Sequence, residues 1–201
     1  MAGPDAIALV RHGETAYNVA GKLNGDPAVA LPLDPSGVGQ VTALKPRIDA
    51  LDVDLAVHTR FPRTVQTLGI LLAGRDGIPR RECPLLDDVL LGEFEGRSRE
   101  AYRAWRAVNG PDARPAGGES RRDALRRYTE GFRRIADSPA RFPLVVTHDI
   151  PIRFLSNAAQ GADPLDGPVT SIANASLAVF DGPVLQDAIT RMEAALTAAA
   201  G

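Results

Sequence analysis

Short apolar runs alternate with longer amphipathic stretches along most of this chain. The runs have the length and apolar character of buried strands, whereas the stretches between them carry apolar residues at helical spacing. The predicted strands are 7–10, 55–58, 81–85, 144–147 and 176–180, and the predicted helices are 34–50, 61–73, 98–108, 119–137, 150–160 and one that starts at 184. Such alternation is typical of a parallel sheet covered by its crossover helices. The pattern therefore predicts an α/β fold, a three-layer α/β/α sandwich with a mostly parallel central sheet.

The whole chain, residues 1–201, is expected to form one domain, because it shows no internal repeat and no sign of a second domain. Asp34 and Pro35 are typical of a helix start, with Asp as the N-cap and proline in the first turn. Pro46 is expected to kink that helix or to end it early, because proline removes a backbone donor. The alanine-rich segment 194–201 is expected to fray.

Composition argues against several classes of protein. A formal net charge of −2 provides no overall field that would attract nucleic acid or an anionic membrane. The single cysteine, Cys83, rules out an internal disulfide framework, and a total of 3 histidines is too few for a histidine-rich metal cage. The first residues resemble no signal peptide, and no apolar window has the length of a membrane span. We expect a cytoplasmic monomer or small oligomer, such as a homodimer.

Histidine follows the end of two predicted strands. Arg11 and His12 follow the first strand, and His148 follows the fourth. Because ligands of an open α/β sheet bind beyond the carboxyl ends of its strands, these side chains are expected to share one crevice. Arg63 lies in the first turn of the helix after the second strand, so its guanidinium can reach the same crevice. Arginines and helix N-termini bind anions, and a histidine beside them can attack a phosphate.

The motifs that carry these residues resemble the histidine phosphatase superfamily, also called phosphoglycerate-mutase-like. They follow one another in the order and spacing of that family over nearly the whole chain. In chain order they are Arg11-His12-Gly13-Glu14-Thr15, Asn18, Asn24-Gly25, Thr59-x-x-x-Arg63-x-x-Gln66-Thr67, Gly92-Glu93-Phe94-Glu95-Gly96, Gly117-Gly118-Glu119-Ser120 and Val145-Val146-Thr147-His148. The resemblance implies the phosphoglycerate-mutase-like fold.

The resemblance also implies a metal-independent phosphomonoesterase that forms a phosphohistidine and needs no cofactor. It implies His12 as the nucleophile, with Arg11, Arg63 and His148 binding the phosphoryl oxygens of a small phosphorylated metabolite. His12 must then be neutral at one ring nitrogen, whereas His148 is expected to be protonated so that it donates to the phosphate. The candidate substrate-binding residues are Thr15, Asn18, Asn24, Gly25, Arg97 and Asp149.

Two aspartates fit the role of the general acid that protonates the leaving group. The commoner branch of the family places a glutamate four residues before its Gly-x-aromatic-Glu-Gly segment, and this chain has the shorter Asp88 there. A second branch uses an aspartate directly after the second histidine, where this chain has Asp149. Asp88 is favoured because its surroundings match the first branch, and Asp87 is expected to be its more exposed neighbour. Asp149 also has the position of an N-cap.

Two other functions fit the same motifs. A phosphoglycerate mutase would share the intermediate but return the phosphoryl group to a bound product. A non-catalytic member would recognise phosphorylated ligands without turnover. The segment between Gly96 and Gly118 is short for the insertion that encloses a mutase site, and the four core residues are intact, so hydrolysis is preferred.

Arginines are frequent between positions 97 and 134. Most of them are expected to form a solvated helix face. Arg97, or those that flank the Gly/Pro-rich break at 110–118, are candidates for binding a second anionic group of the substrate.

Overall fold

A computed structural model describes residues 3–198 and confirms the three-layer α/β/α architecture. The strands are β1 (Ala6–Arg11), β2 (Leu55–His58), β3 (Arg80–Glu82), β4 (Pro143–Thr147) and β5 (Leu177–Asp181). They form one sheet in the order β3-β2-β4-β1-β5. The first four strands run parallel to one another, and β5 pairs with β1 in the antiparallel direction. The sheet is therefore mostly parallel, as predicted.

Helices cover both faces of this sheet. They are α1 (Ala16–Val19), α2 (Pro35–Asp49), α3 (Pro62–Leu71), α4 (Arg99–Val108), α5 (Arg121–Ala136), α6 (Asp149–Ala159) and α7 (Gly182–Thr197), with 3-10 turns at Pro84–Leu86 and Gly92–Phe94. Val10 and Val146 contribute to the apolar cluster that α2 and α3 cover. Leu9 and Val145 contribute to the cluster under α5, α6 and α7. Neighbouring residues of one strand thus face two apolar layers, which is why these strands are almost wholly apolar.

The structure corrects three of the predicted elements. The third strand ends at Glu82, because the residues after Cys83 form a 3-10 turn. Pro46 does not end α2, which continues to Asp49. Pro46 is exposed, and so is Thr42, whose carbonyl loses its donor and can be reached by water. The predicted frayed segment is helical over 194–197, because alanine favours helix and Leu196 packs against the core. Residues 199–201 lie outside the described part.

Among residues 3–198, none of the helices combines the length and the apolar character needed to cross a bilayer.

The first turn of α2 packs directly against the loop that carries His12. A methyl group on Gly37 would lie 2.1 Å from the carbonyl oxygen of Glu14, and one on Gly13 would lie 2.7 Å from the carbonyl oxygen of Gly37. The Asp34 carboxylate accepts from the Gly37 amide at 2.7 Å, and the Asp34 amide donates to the Glu14 carbonyl at 3.0 Å. Two glycines in contact therefore fix the position of this loop.

This contact predicts opposite effects for two glycines of the same helix. Gly37→Ala should destabilise the protein by about 1–3 kcal/mol, because the methyl group forces the backbone of α2 away from Glu14. Gly39→Ala should stabilise it by about 0.5–1 kcal/mol, since nothing lies within 4 Å of the added methyl group and alanine favours helix. Urea unfolding of both variants measures the difference. Equal effects would contradict the proposed contact.

Candidate active site

Four of the predicted site residues come together at one edge of the sheet. The parallel strands β2, β4 and β1 are neighbours, so their carboxyl ends meet there. Arg11 and His12 end β1, Arg63 lies in the first turn of α3 directly after β2, and His148 is the N-cap of α6 directly after β4. Arg11, His12 and Arg63 line a cavity of about 490 Å³. His148 is fully buried behind Arg63.

Arg63 is the centre of the polar network. Its side chain is buried, and its Nε donates to Nε2 of His12 at 3.0 Å while its Nη2 donates to Nδ1 of His148 at 3.1 Å. Nη1 donates to the side-chain oxygen of Asn24, and Nη2 lies 3.4 Å from Oδ2 of Asp88. Burial lowers the pKa of this guanidinium to about 10, with Asp88 opposing the change, so the group stays charged at neutral pH.

The hydrogen bonds assign opposite tautomers to the two histidines. Nδ1 of His12 lies 2.7 Å from the carbonyl oxygen of Gly13, so it carries the proton and Nε2 carries the lone pair. A guanidinium only donates, so Nδ1 of His148 carries the lone pair that Arg63 contacts. Nε2 of His148 then donates to Oγ1 of Thr59 at 2.9 Å. His12 therefore offers Nε2 as its nucleophilic atom.

The surroundings of both imidazoles favour their neutral forms. Burial lowers the pKa of His12 well below 6.5, and the charges of Arg63 and Arg11 lower it further. Burial, Arg63 and His12 act on the pKa of His148 in the same direction. The prediction for His12 agrees with this, whereas the expectation that His148 is protonated when it donates to a phosphate concerns the substrate complex and stays a prediction. A guanidinium pointed at Nδ1 leaves no room for a proton there.

Arg11 lines the cavity and has one unused donor. Its Nη1 donates to the carbonyl oxygen of Ile172, but its Nε is buried without a hydrogen-bond partner among the described residues. Burial lowers the pKa of Arg11, while Asp149 and Asp88 oppose that change. A buried donor without a partner is costly, so an anion oxygen bound here would stabilise the site.

Asp88 has the surroundings of a proton donor. Its Oδ2 lies 3.6 Å from Nδ1 of His148, and its side chain is 21% exposed. Burial raises the pKa of Asp88 to about 6, and Arg63 opposes the rise. Asp87, expected to be the more exposed of the pair, is instead only 5% exposed, because it accepts from the backbone N and Nε of Arg60 at 3.0 and 2.6 Å.

Asp149 lines the cavity but does not cap its helix. It is the first residue of α6, and His148 holds the N-cap position. Its Oδ1 accepts from the backbone amide of Ile172 at 2.6 Å, and its Oδ2 lies 3.5 Å from Nη1 of Arg153. The N-cap prediction is therefore wrong, because the carboxylate is engaged by the loop before β5.

The remaining predicted residues divide into two groups. Thr15 and Asn18 line the cavity and also cap α1, since the Thr15 amide donates to Oδ1 of Asn18 at 3.1 Å and the Asn18 amide donates to Oγ1 of Thr15 at 3.4 Å. Asn24 lines the cavity beside Arg63. Gly25 does not line it: its amide donates to Oε2 of Glu95 at 2.7 Å.

Arg97 does not reach the cavity either. It is exposed, and its guanidinium lies 5.9 Å from the ring centroid of Phe94. The chain turns at Gly96 with φ +71° and enters α4, which brings Arg99 to the cavity instead. Arg99 donates to the carbonyl oxygen of Asn18 at 2.7 Å.

Sequence reasoning missed the residues that hold the Asp88 loop. Arg127 of α5 donates to the carbonyl oxygens of Leu85 at 2.9 Å, Asp87 at 2.9 Å and Asp88 at 3.2 Å. Glu119 pairs with Arg127 and accepts from the Leu90 amide at 2.9 Å. Arg127 was predicted to belong to a solvated helix face, and nothing in its sequence neighbourhood distinguishes it. Glu119 could have been found through its Gly-Gly-Glu-Ser motif.

Within residues 3–198, no group of three or more His, Cys, Asp and Glu side chains is arranged to hold a metal ion. The charged groups nearest to Nε2 of His12 are guanidinium groups.

A buried arginine between two strand-end histidines, on a mostly parallel sheet, defines a phosphoryl-binding α/β enzyme. The chain matches the histidine phosphatase superfamily (branch 1) over residues 7–193, and it belongs to that family. It is 32% identical over 149 residues to the adenosylcobalamin/alpha-ribazole phosphatase of Salmonella typhimurium, covering 70% of this chain and 72% of that protein. These findings confirm the family prediction and a phosphatase enzyme.

Two further proteins are similar to this chain. A metal-independent phosphoserine phosphatase of Arabidopsis thaliana is 28% identical over 152 residues, which cover 71% of this chain and 63% of that protein. The structure of a mycobacterial glucosyl-3-phosphoglycerate phosphatase in complex with VO3 superposes with a TM-score of 0.73 at 26% identity, covering 87% of this chain and 92% of the other. The names of these three relatives refer to three different substrates.

The assigned tautomers predict a specific NMR result. At pH 7 without ligand, His12 should carry its proton on Nδ1 and His148 on Nε2, because Gly13 accepts from the first and Thr59 from the second. Nitrogen-15 chemical shifts of the imidazole rings distinguish the two forms. Both rings should stay neutral as the pH falls to 6, because burial lowers both pKa values well below 6.5. Identical tautomers, or a positively charged ring at pH 7, would refute the assignment.

Proposed function

We propose that this protein is a metal-independent phosphomonoesterase that hydrolyses small phosphorylated metabolites through a phosphohistidine on His12. One observation carries the proposal: the neutral His12 ring directs its Nε2 lone pair toward a buried guanidinium beside the cavity. A nucleophile next to fixed cations is what phosphoryl transfer needs, because negative charge spreads over the phosphoryl oxygens in the transition state.

In the first step, Nε2 of His12 attacks phosphorus and the bond to the leaving alcohol breaks. As the substrate enters, the Arg63 guanidinium must give up its hydrogen bonds to the two histidines and donate to the phosphoryl oxygens instead. The unpartnered Nε of Arg11 binds another oxygen. Once Arg63 moves and a phosphate dianion arrives, the pKa of His148 rises, so that Nδ1 can take up a proton and donate to the phosphate.

Asp88 gives its proton to the leaving oxygen in that step. In the second step its carboxylate takes a proton from water, the water oxygen bonds to phosphorus, and the bond between phosphorus and Nε2 breaks. Inorganic phosphate is released and the neutral His12 and the protonated Asp88 are restored. A pKa of about 6 suits both halves of this cycle, because the group has to release and regain a proton near neutral pH.

Asp88 is preferred to Asp149 as the acid for three reasons. Burial raises the pKa of Asp88 to about 6, so a fraction of it is protonated near neutral pH. Its Oδ2 lies near both His148 and Arg63, while in each of the two aspartates the other oxygen, Oδ1, accepts from a backbone amide. The matching family model is that of branch 1, and the residues around Asp88 resemble that branch.

Metal independence rests on the cations that line the site. Arg11 and Arg63 place their charges where a divalent ion would otherwise neutralise phosphoryl oxygens. The name of the Arabidopsis relative, a metal-independent phosphoserine phosphatase, supports this proposal.

Removal of the nucleophile tests the mechanism. His12→Ala should abolish phosphate release from an aryl phosphate, a loss of about 10³-fold or more, because no other lone pair takes its place. His58→Ala is the matched control; it also removes a strand-end histidine, but His58 does not line the cavity, and turnover should persist. Wild-type turnover by His12→Ala would overturn the mechanism, provided that thermal unfolding shows both variants folded.

Chelation tests the metal proposal. Phosphate release should continue in EDTA without added Mg²⁺, and vanadate should inhibit by occupying the place of the phosphoryl group. Loss of activity on chelation, restored by a divalent ion, would count against the proposal. The same assay separates hydrolysis from mutase-type transfer, because only hydrolysis releases free phosphate in step with the alcohol.

Leaving-group dependence distinguishes the two aspartates. Asp88→Asn should slow release of the alcohol from alkyl phosphates by about 10²-fold and spare the initial burst of phenolate from an activated aryl phosphate, because phenolate leaves without a proton. Hydrolysis of the phosphohistidine, in which Asp88 is the base, should be slowed equally for both substrates. For the wild type, kcat for an alkyl phosphate should fall above pH 6, because Asp88 loses its proton there, and Asp88→Asn should lack this limb. Asp149→Asn should cost about 1 kcal/mol of stability or less, since the amide oxygen can still accept from Ile172. Reversed phenotypes would transfer the role to Asp149.

A further inference from the structure

The cavity carries more positive charge than one phosphate monoester requires. Seven cationic side chains line it against three carboxylates; the cations are Arg11, Lys22, Arg63, Arg99, Arg103, Arg106 and Arg153, and the carboxylates are Asp88, Asp149 and Asp166. A phosphate dianion at His12 neutralises only part of this excess. Arg103 and Arg106 come from α4 and Arg153 comes from α6, so these three cations belong to other elements than the strand end that carries His12.

Arg106 is held by no strong ion pair. Its Nη2 lies 3.7 Å from Oδ1 of Asp166, whereas Arg121 contacts both oxygens of the same carboxylate at 2.7 and 3.3 Å. Nε of Arg106 is buried without a hydrogen-bond partner among the described residues. Burial lowers the pKa of Arg106, and the charges of Arg121 and Arg153 lower it further. Asp166 is thus committed to Arg121, and Arg106 keeps a free donor.

Arg153 is also held by a long ion pair, and its Nε donates to the carbonyl oxygen of Val169 at 3.4 Å. Its side chain is 13% exposed, and its Nη1 lies 3.5 Å from Oδ2 of Asp149, whose other oxygen accepts from a backbone amide. Several other ion pairs are much shorter, for example 2.6 Å between Arg122 and Asp112 and 2.7 Å between Arg134 and Glu130. The two long contacts mark Arg106 and Arg153 as cations with binding capacity to spare.

We propose that Arg106 and Arg153 form a second anion-binding subsite in this cavity, so that the substrate is a phosphomonoester with a further carboxylate or phosphate group at its other end. The inference rests on the proposed function, because the scissile phosphate occupies the His12 end. The substrate then lies along the cavity, with one anionic group on the nucleophile and the other between α4 and α6. Two separated anionic groups on one substrate also fix the orientation of that substrate in the cavity.

Matched pairs of synthetic esters test the subsite. The probes are carboxyalkyl phosphates of increasing chain length, each compared with the hydroxyalkyl phosphate of the same length. For the best length, kcat/KM should favour the carboxylate by about 10-fold, mainly through KM, since one charge-assisted hydrogen bond supplies about that factor. Arg106→Gln should reduce this ratio at least about five-fold.

The control is Arg134→Gln. It removes the same charge from an exposed arginine of α5 that pairs with Glu130 at 2.7 Å and does not line the cavity, and it should leave the ratio unchanged. No preference at any chain length, or an equal loss in Arg134→Gln, would overturn the subsite.

Calorimetry with the folded His12→Ala variant separates the subsite from the proposed function, because binding there needs no turnover. A lower Kd for the carboxyalkyl phosphate supports the subsite even if the wild type hydrolyses nothing. Equal Kd values for the two probes would overturn it even if the wild type is an active phosphatase.

Discussion

The contact between one buried guanidinium and two imidazoles determines most of this site. Arg63 has only donors to offer, so each ring must present a lone pair to it, Nε2 in His12 and Nδ1 in His148. This requirement can be met because the other nitrogen of each ring donates a hydrogen bond. In His12 it donates to the carbonyl of Gly13, and in His148 it donates to the hydroxyl of Thr59. The sheet order makes the contact possible, since β4 lies between β1 and β2 and all three end at the same edge.

The burial that keeps His12 neutral also favours the protonated form of Asp88. Desolvation disfavours charge of either sign, so it lowers the pKa of His12 and raises the pKa of Asp88 to about 6. Arg63 opposes the rise at Asp88, and burial is the larger effect. The cavity therefore holds a neutral His12 together with an Asp88 of which a fraction is protonated near neutral pH, and the proposed phosphoester cleavage uses this combination. Arg127 keeps Asp88 in place by donating to the carbonyl oxygens of its loop.

The strand-end pattern predicted the sheet, its helices and the meeting of Arg11, His12, Arg63 and His148, because each of these depends on local sequence and on the geometry of parallel strands. Contacts between distant segments were not predictable in this way. The role of Arg127 depends on the position of α5 beside the loop that contains Asp87, which lies 40 residues earlier in the sequence. The hydrophobic periodicity of the sequence does not reveal such a contact. The neutral state of His148 before a phosphate binds was not predictable for the same reason, since it depends on where the Arg63 guanidinium points.

The most direct test of this account is the identity of the phosphorylated atom. Rapid mixing with an aryl phosphate and quenching in base preserves phosphohistidine, and mass spectrometry with phosphorus-31 NMR then locates the phosphoryl group. The account predicts one phosphorylated residue, His12, modified at Nε2, because Nδ1 is protonated and bonded to Gly13. Phosphorylation at Nδ1 of His12 would contradict the tautomer assignment. Phosphorylation of His148 or of a residue other than histidine would contradict the mechanism built on Arg63.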